Sequence, residues 1–274
     1  MYKVIVSDMD GTLLKDDKSV SEETLALLRK LDEEGILFLP STGRTHLEMP
    51  KAIRGQPFIS YAICCNGGAV YDYRNQKYIY ENAIPYETGL KLLEYIRDFP
   101  VFRTAVINGE RICEGDEEGN IAEAITKRAV KDILFNFRGM PDFNKAFAER
   151  HADAQKFLFY LEKAEDKEKI TADLQEHFPS LNISSSGPIF LEVNARGIDK
   201  GKALLRFCEY MDIDIADSVA FGDAANDLAM LDTAGLSIVM ENADDETKKH
   251  ADRICPSNNE DGVRKALEEL FHIS

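Results

Sequence analysis

Apolar positions follow two rhythms along this chain. Short runs rich in β-branched residues, at 4–7, 36–39, 58–65, 217–221 and 236–240, suit strands buried on both faces of a parallel sheet. Between them, apolar residues recur at helical spacing: Leu25, Leu28 and Leu31 early in the chain, Leu204, Leu205 and Cys208 late in it. Ser19-x-x-Glu22 reads as a capping box for the first of these helices, and Gly35 as its stop. Strand, helix and strand within residues 4–39 make a βαβ unit, whose crossover is right-handed. The first two strands then lie parallel and end on the same edge. A hairpin is expected where 69–73 and 78–80 flank Arg74-Asn75-Gln76-Lys77, and helices near 246–251 and 260–271 finish this part.

Over residues 84–190 the pattern changes. An amphipathic helix follows Pro85 with Leu90, Leu93 and Ile96, then a strand at 101–107 and a turn at Asn108-Gly109. Ile121, Ile125, Ala129 and Ile133 predict a long helix. A strand at 156–161, a helix at 170–178 and a hairpin from 182–185 to 189–193 follow. Strands mixed with helices in this way predict an inserted α+β domain. The expected organisation is α/β: a Rossmann-like parallel-sheet core at 1–83 and 191–274, and an α+β insertion at 84–190.

Composition narrows the function. A chain of 274 residues suits two domains, and 44% hydrophobic with 30% charged residues is ordinary for a globular protein. Against 33 basic residues stand 49 acidic ones, a net charge of −16. That field repels nucleic acid and anionic membranes, so neither is an expected partner. It repels phosphorylated ligands too, so a site for one must concentrate positive charge locally. The odd set Cys64, Cys65, Cys113, Cys208 and Cys255 contains no C-x-x-C pair and reads as free thiols in a reducing compartment. The chain opens directly into a strand without a signal-peptide pattern. No apolar run approaches the about 18 residues that span a bilayer. A cytoplasmic location is expected.

The candidate chemistry sits at strand ends, where ligands of open α/β sheets gather. The first strand ends in Asp8-Met9-Asp10-Gly11-Thr12-Leu13, and a turn at Gly11 is needed to converge the two carboxylates. A calcium loop counted from Asp8 needs Gly and Glu where Leu13 and Ser19 stand. The pair is either turn punctuation or a nucleophile with an acid/base partner beside a hard cation. After the second strand, Thr42-Gly43-Arg44 either offers a hydroxyl, an N–H and a charge to phosphate, or caps a helix. Asn66-Gly67 ends the third strand, as a substrate contact or a generic turn. Gly197-Ile198-Asp199-Lys200-Gly201-Lys202 is no P-loop, because Arg196 and Ala203 occupy required positions. Lys200 opening a helix opposes the helix dipole, an oddity that an anion at that helix start would resolve. In Gly222-Asp223-Ala224-Ala225-Asn226-Asp227, one helical turn would bring both carboxylates to one face, where a cation relieves their repulsion. Capping and dipole roles account for each acid separately. His46, His151, His177, His250 and His272 fall at no metal-ligand spacing.

In this order, Asp8–Leu13, Thr42, Lys200-Gly201 and Gly222–Asp227 resemble the four signatures of the haloacid dehalogenase superfamily phosphatases, in their Cof-type subgroup. The resemblance implies a Rossmann-like core with a large α+β cap of the C2 type between the second and third signatures. It implies a Mg²⁺-dependent phosphatase acting through an aspartyl phosphate on small phosphorylated metabolites: sugar phosphates, nucleotides or phosphorylated cofactors. Asp8 would be the nucleophile and Asp10 the general acid and base. Thr42, Gly43, Arg44, Asn66, Lys200 and Asn226 would contact phosphate or substrate. Asp8, Asp10 through its carbonyl, Asp223 and Asp227 would hold Mg²⁺, with Asp227 direct or through water, and the cap would select the substrate. An oxygen-only donor set without His or Cys suits Mg²⁺. The rivals are a phosphomutase, whose second phosphate site would draw on Arg103, Arg111, Lys127, Arg128 and Lys156, and a non-catalytic metal- or phosphate-binding protein. A small phosphate ester is the expected partner, and no protein partner is implied.

Overall fold

In the computed structural model, which describes residues 2–115, 139–185 and 187–273, the chain divides into two units. One joins Met1–Glu81 to Ile198–Ser274; the other is Asn82–Gly197.

The first unit is built on β1 (Val4–Asp8), β2 (Leu37–Ser41), β3 (Tyr61–Cys64), β4 (Ala69–Asp72) and β5 (Lys77–Glu81). After the second unit's strands come β12 (Ser218–Gly222), β13 (Leu236–Met240) and β14 (Arg253–Cys255). Their order is β14-β13-β12-β1-β2-β3-β4-β5, with parallel pairing from β14 to β3 and antiparallel pairing of β3 with β4 and of β4 with β5 at one edge. From β1 the chain steps outward through β2 and β3, and from β12 outward on the other side. The β1/β12 border is therefore the switch point of the sheet, the crevice where such folds bind ligands. Asp8 lies opposite Ser41, and Ser7 opposite Phe221, so Asp8, Thr42 and Asp223 leave the sheet side by side.

Alternation along β1 feeds two cores. Ile5 packs with Phe38, Val219 and Phe221 on one face, joined by Leu25, Leu28 and Leu31 of α1 (Glu22–Glu33). Val4 and Val6 pack with Leu39, Ala220 and Val239 on the other. Fully burying such side chains is worth about 1.5–3 kcal/mol each, so β1 is anchored before any site residue begins. The cap of α1 is Ser21, not Ser19. Its hydroxyl accepts the N–H of Thr24 at 3.2 Å, whereas Ser19 is drawn into a turn by the Asp17 carboxylate.

The second unit holds, among the described residues, a six-stranded sheet in the order β10-β11-β9-β6-β7-β8. Its members are β6 (Val101–Ile107), β7 (Glu110–Glu114), β8 (Gly139–Met140), β9 (Lys156–Leu161), β10 (Leu181–Ser184) and β11 (Phe190–Ala195), with α2 (Tyr86–Tyr95), α3 (Phe143–Arg150) and α4 (Lys167–His177). β11 pairs along its length with β9 and β10. A boundary at 190/191 would split that strand, and the structure instead divides at 197/198. The long helix expected through Ile121–Ile133 lies outside the described residues, as do Lys127 and Arg128. All five cysteines are buried free thiols. No helix among the described residues is long and apolar enough to cross a membrane.

Candidate active site

Asp8 is the last residue of β1 and is 6% exposed. One carboxylate oxygen each from Asp8, Asp223 and Asp227 lie within 4.8 Å of one another. Into this group reaches Lys200, fully buried at the first position of α5 (Lys200–Met211). Its ammonium donates to Oδ1 of Asp8 and, at 2.6 Å, to Oδ1 of Asp227. The lysine at this helix start already has two carboxylate partners within the protein. Asp199 caps the helix through the Lys202 N–H at 2.7 Å, and Lys200 meets the carboxylates of Asp8 and Asp227.

Asp227 departs from the expected helical face. Ala225–Asp227 form a 3₁₀ turn, and Oδ2 of Asp227 accepts the N–H groups of Asp223 and Ala224 at 3.0 and 3.1 Å. Both Asp227 oxygens thus accept protein donors, fixing the loop that carries Asp223. Asp223 accepts the Thr12 hydroxyl on Oδ1 at 2.6 Å. Gly11, at φ +90°, passes so close that an added Cβ would lie 2.4 Å from Oδ2 of Asp223. Oδ2 of Asp8 and Oδ2 of Asp223 accept no hydrogen bond from the described residues.

Three carboxylates against one ammonium leave this cluster short of positive charge. Burial pushes the Asp8 carboxyl up to about 7, with Lys200 pulling against it and Asp227 adding to the rise. Burial raises Asp223 as well, opposed by the Thr12 hydrogen bond. For Lys200 burial works against the charge, yet Asp8 and Asp227 outweigh it and hold the ammonium above the ordinary lysine range. Two open carboxylate oxygens in an oxygen-only, electron-rich group fit a hard divalent cation.

The Asp10 carboxylate is not in this group. Arg44 grips it through Nε and Nη2 at 3.0–3.1 Å, and Lys18 through Nζ at 2.8 Å. Burial favours its neutral form, but Lys18 and Arg44 prevail and hold it below the usual carboxylate range. Arg44 is therefore a partner of Asp10 rather than a solvated side chain. Thr42, 2% exposed, accepts the Arg44 N–H on its hydroxyl at 3.2 Å. Its carbonyl accepts the N–H of Asn66 at 3.0 Å.

Asn66 and Gly67 sit at φ +56° and +96°. A Cβ on Gly67 would lie 2.1 Å from the Asp199 carbonyl, so this turn is seated against the start of α5 and hence against Lys200. The Asn66 amide oxygen accepts from Asn226 at 3.4 Å and would stand 3.0 Å from a Cβ on Gly43. Thr12 and Lys18 take part in the site although the sequence alone assigns neither a role. Thr12 lies within the first motif, but its partner is 211 residues away. Lys18 carries no local signal beyond its positive charge. In the second unit, Arg103 donates to Glu114 and Asn144 and lies 5.6 Å from the Phe143 ring centroid.

The family model for haloacid dehalogenase-like hydrolases matches residues 5–267. A 5-amino-6-(5-phospho-D-ribitylamino)uracil phosphatase, YcsE, from Bacillus subtilis is 28% identical over 267 residues, covering 97% of this chain and 94% of that protein. Phosphatase YwpJ from the same organism is 28% identical over 289 residues, covering 98% and 100%. The crystal structure of TM0651 from Thermotoga maritima superposes with a TM-score of 0.87 at 29% identity, over 98% of this chain and 97% of that one. The chain belongs to the haloacid dehalogenase-like hydrolase family and is a phosphoric monoester hydrolase.

Proposed function

We propose that this protein is a Mg²⁺-dependent phosphatase of small phosphorylated metabolites that works through an aspartyl phosphate. The observation that carries this reading is the clustering of the Asp8 carboxylate, at the switch point and with its Oδ2 open, with Asp223, Asp227 and the buried Lys200. Asp8 attacks phosphorus in line, and the P–O bond to the leaving alcohol breaks as the acyl phosphate forms. Asp10 protonates the departing oxygen, then takes a proton from the water that hydrolyses the intermediate. The grip of Arg44 and Lys18 holds Asp10 ionised, the form needed for the second half. A substrate phosphate competing for Arg44 would let Asp10 take up a proton from solvent, the form that donates to the leaving oxygen in the first half.

The Thr42 hydroxyl, the Gly43 N–H and Lys200 bind the phosphoryl oxygens, with Arg44, Asn66 and Asn226 at the rim. Mg²⁺ held by Asp8, Asp223 and the Asp10 carbonyl would supply the positive charge that lets an anionic nucleophile approach an anionic phosphate. Asp227 acts by fixing Lys200 and the Asp223 loop. The insertion, Asn82–Gly197, selects the substrate. The relative named for a phosphoribitylamino-uracil makes phosphate esters of polyols joined to a ring the first compounds to try. A cytoplasmic location agrees with five free thiols. Arg103, one of the residues a phosphomutase would draw on, is already committed to Glu114 and Asn144, which weakens that rival.

The test is phosphate release from a panel of phosphometabolites, with and without Mg²⁺, read alongside any isomerised product. Mg²⁺-dependent release from at least one member is expected. Folded protein that releases phosphate from none of them, or that only isomerises, overturns this reading.

A further inference from the structure

The turn after Asp10 is held from the far end of the chain. Asn242, just past β13, donates its amide to the Gly11 carbonyl at 2.8 Å, and its own oxygen accepts the N–H of Asn258 at 3.1 Å. Asn258 is 4% exposed and donates to the Leu14 carbonyl at 3.0 Å and to Oδ1 of Asp16 at 3.2 Å. Asn259 exchanges two hydrogen bonds with Asp16, at 2.9 and 3.1 Å. Lys15 pairs with Asp261 at 3.1 Å. Together these side chains grip residues 11–16 across more than 230 positions of sequence.

The gripped segment carries the groups that orient two of the site's carboxylates. Thr12, next to the held Gly11, gives its hydroxyl to Asp223, and Gly11 runs past the same carboxylate with no room for a Cβ. Lys18 reaches Asp10 from the end of the segment. Asp8 is different: it lies within β1, paired with β2 and held by Lys200. The sheet therefore fixes Asp8, whereas the Asp223 side chain is oriented by a turn outside the sheet, closed by the Leu14 N–H to the Met9 carbonyl at 2.8 Å and a single bridge between Asp10 and Leu14.

We propose that Asn242 and Asn258 are positioning residues for the cation site. They hold the Gly11–Asp16 turn so that Thr12 aims the open oxygen of Asp223 at the metal. This rests on the cation reading above. Partners beyond the ligands themselves commonly cost about 10–100-fold in metal affinity when removed. Asn242 acts through Gly11 and Thr12, so the lower end, about 10-fold, is expected.

Asn242→Ala is the first variant, because this side chain is exposed and its loss leaves the core untouched. Asn258→Ala is the second. Mg²⁺ alone would be titrated calorimetrically into each full-length protein without substrate, alongside circular dichroism, then kcat and KM measured at saturating Mg²⁺. Folded variants should bind Mg²⁺ about 10-fold more weakly than the parent, with KM little changed. The double variant should lose less than the sum of the two, because both act through one turn. Unchanged Mg²⁺ affinity in the folded variants overturns the positioning role. So does failure of both to fold, which would make them structural residues only. A parent protein that binds no Mg²⁺ overturns the cation reading itself, and this proposal with it.

Discussion

Lys200 decides more at this site than any other single side chain. It is buried completely between Asp8 and Asp227, so replacing it with methionine leaves two buried carboxylates without a counter-charge. Breaking a buried pair in this way costs about 3–5 kcal/mol. Urea unfolding of Lys200→Met at neutral pH should show a loss of that size, with part of it restored by Mg²⁺. A variant as stable as the parent would show that the ion pairs contribute nothing net. For Asp8→Asn the expectation is the reverse: fold kept, turnover lost, because an amide does not attack phosphorus. Phosphate release by the folded variant would remove Asp8 from the nucleophile's role. His46 gives the pH prediction. Burial and Arg54 lower it to about 4, and its ring stacks on Tyr71 at 3.7 Å with Nδ1 bonded to the Tyr78 hydroxyl. The folded state favours the neutral ring, so this contribution is complete above about pH 6.5 and is lost as pH falls toward 4. A shift of that size corresponds to about 3 kcal/mol. Stability curves between pH 7 and 4 should therefore be flatter for His46→Phe than for the parent. Parallel curves would dismiss the effect.

At the scale of elements, the turns are what bring the site together. Gly67 combines a left-handed φ with a 2.1 Å approach to the Asp199 carbonyl, so Gly67→Ala must push the third-strand turn away from α5. A loss of about 2 kcal/mol or more, together with reduced kcat, is expected; equal kcat in the two proteins would detach this turn from Lys200. Much of this level was legible beforehand, and for a local reason. Each strand run hands directly on to its chemistry: Val4–Val6 to Asp8, Leu37–Leu39 to Thr42, Val219–Phe221 to Asp223. Strand placement and residue identity are both written within a few positions. What was illegible is whatever depends on distant partners. Thr12 meets Asp223, Lys200 meets Asp8, and Asn242 meets Gly11 only after the sheet is assembled. Even short-range rules failed where a carboxylate competed. Asp17 captured Ser19, leaving Ser21 to cap α1, and Asp227 folded back onto the backbone of its own loop in place of lining a helical face.

At the scale of the whole molecule, the residues given chemical roles and the inserted unit fall in separate stretches of chain. Every side chain given a chemical role lies in Met1–Glu81 or Ile198–Ser274, while Asn82–Gly197 has its own sheet, its own helices and its own buried Phe157, Phe159 and Leu191. A unit with its own core can diverge in surface without disturbing Asp8, Thr42, Lys200 or Asp223. Selectivity for the leaving group is therefore expected to follow the insertion, and the requirement for Mg²⁺ and Asp8 to follow the sheet. A chimera in which residues 82–197 are exchanged for the matching segment of a relative such as the Bacillus subtilis phosphatase YcsE tests both halves together. Its ranking of phosphate esters by kcat/KM should move toward the donor's, while Asp8→Asn in the chimera still abolishes turnover. A folded chimera that kept the parent's ranking would place specificity in the parallel-sheet unit, beside the nucleophile.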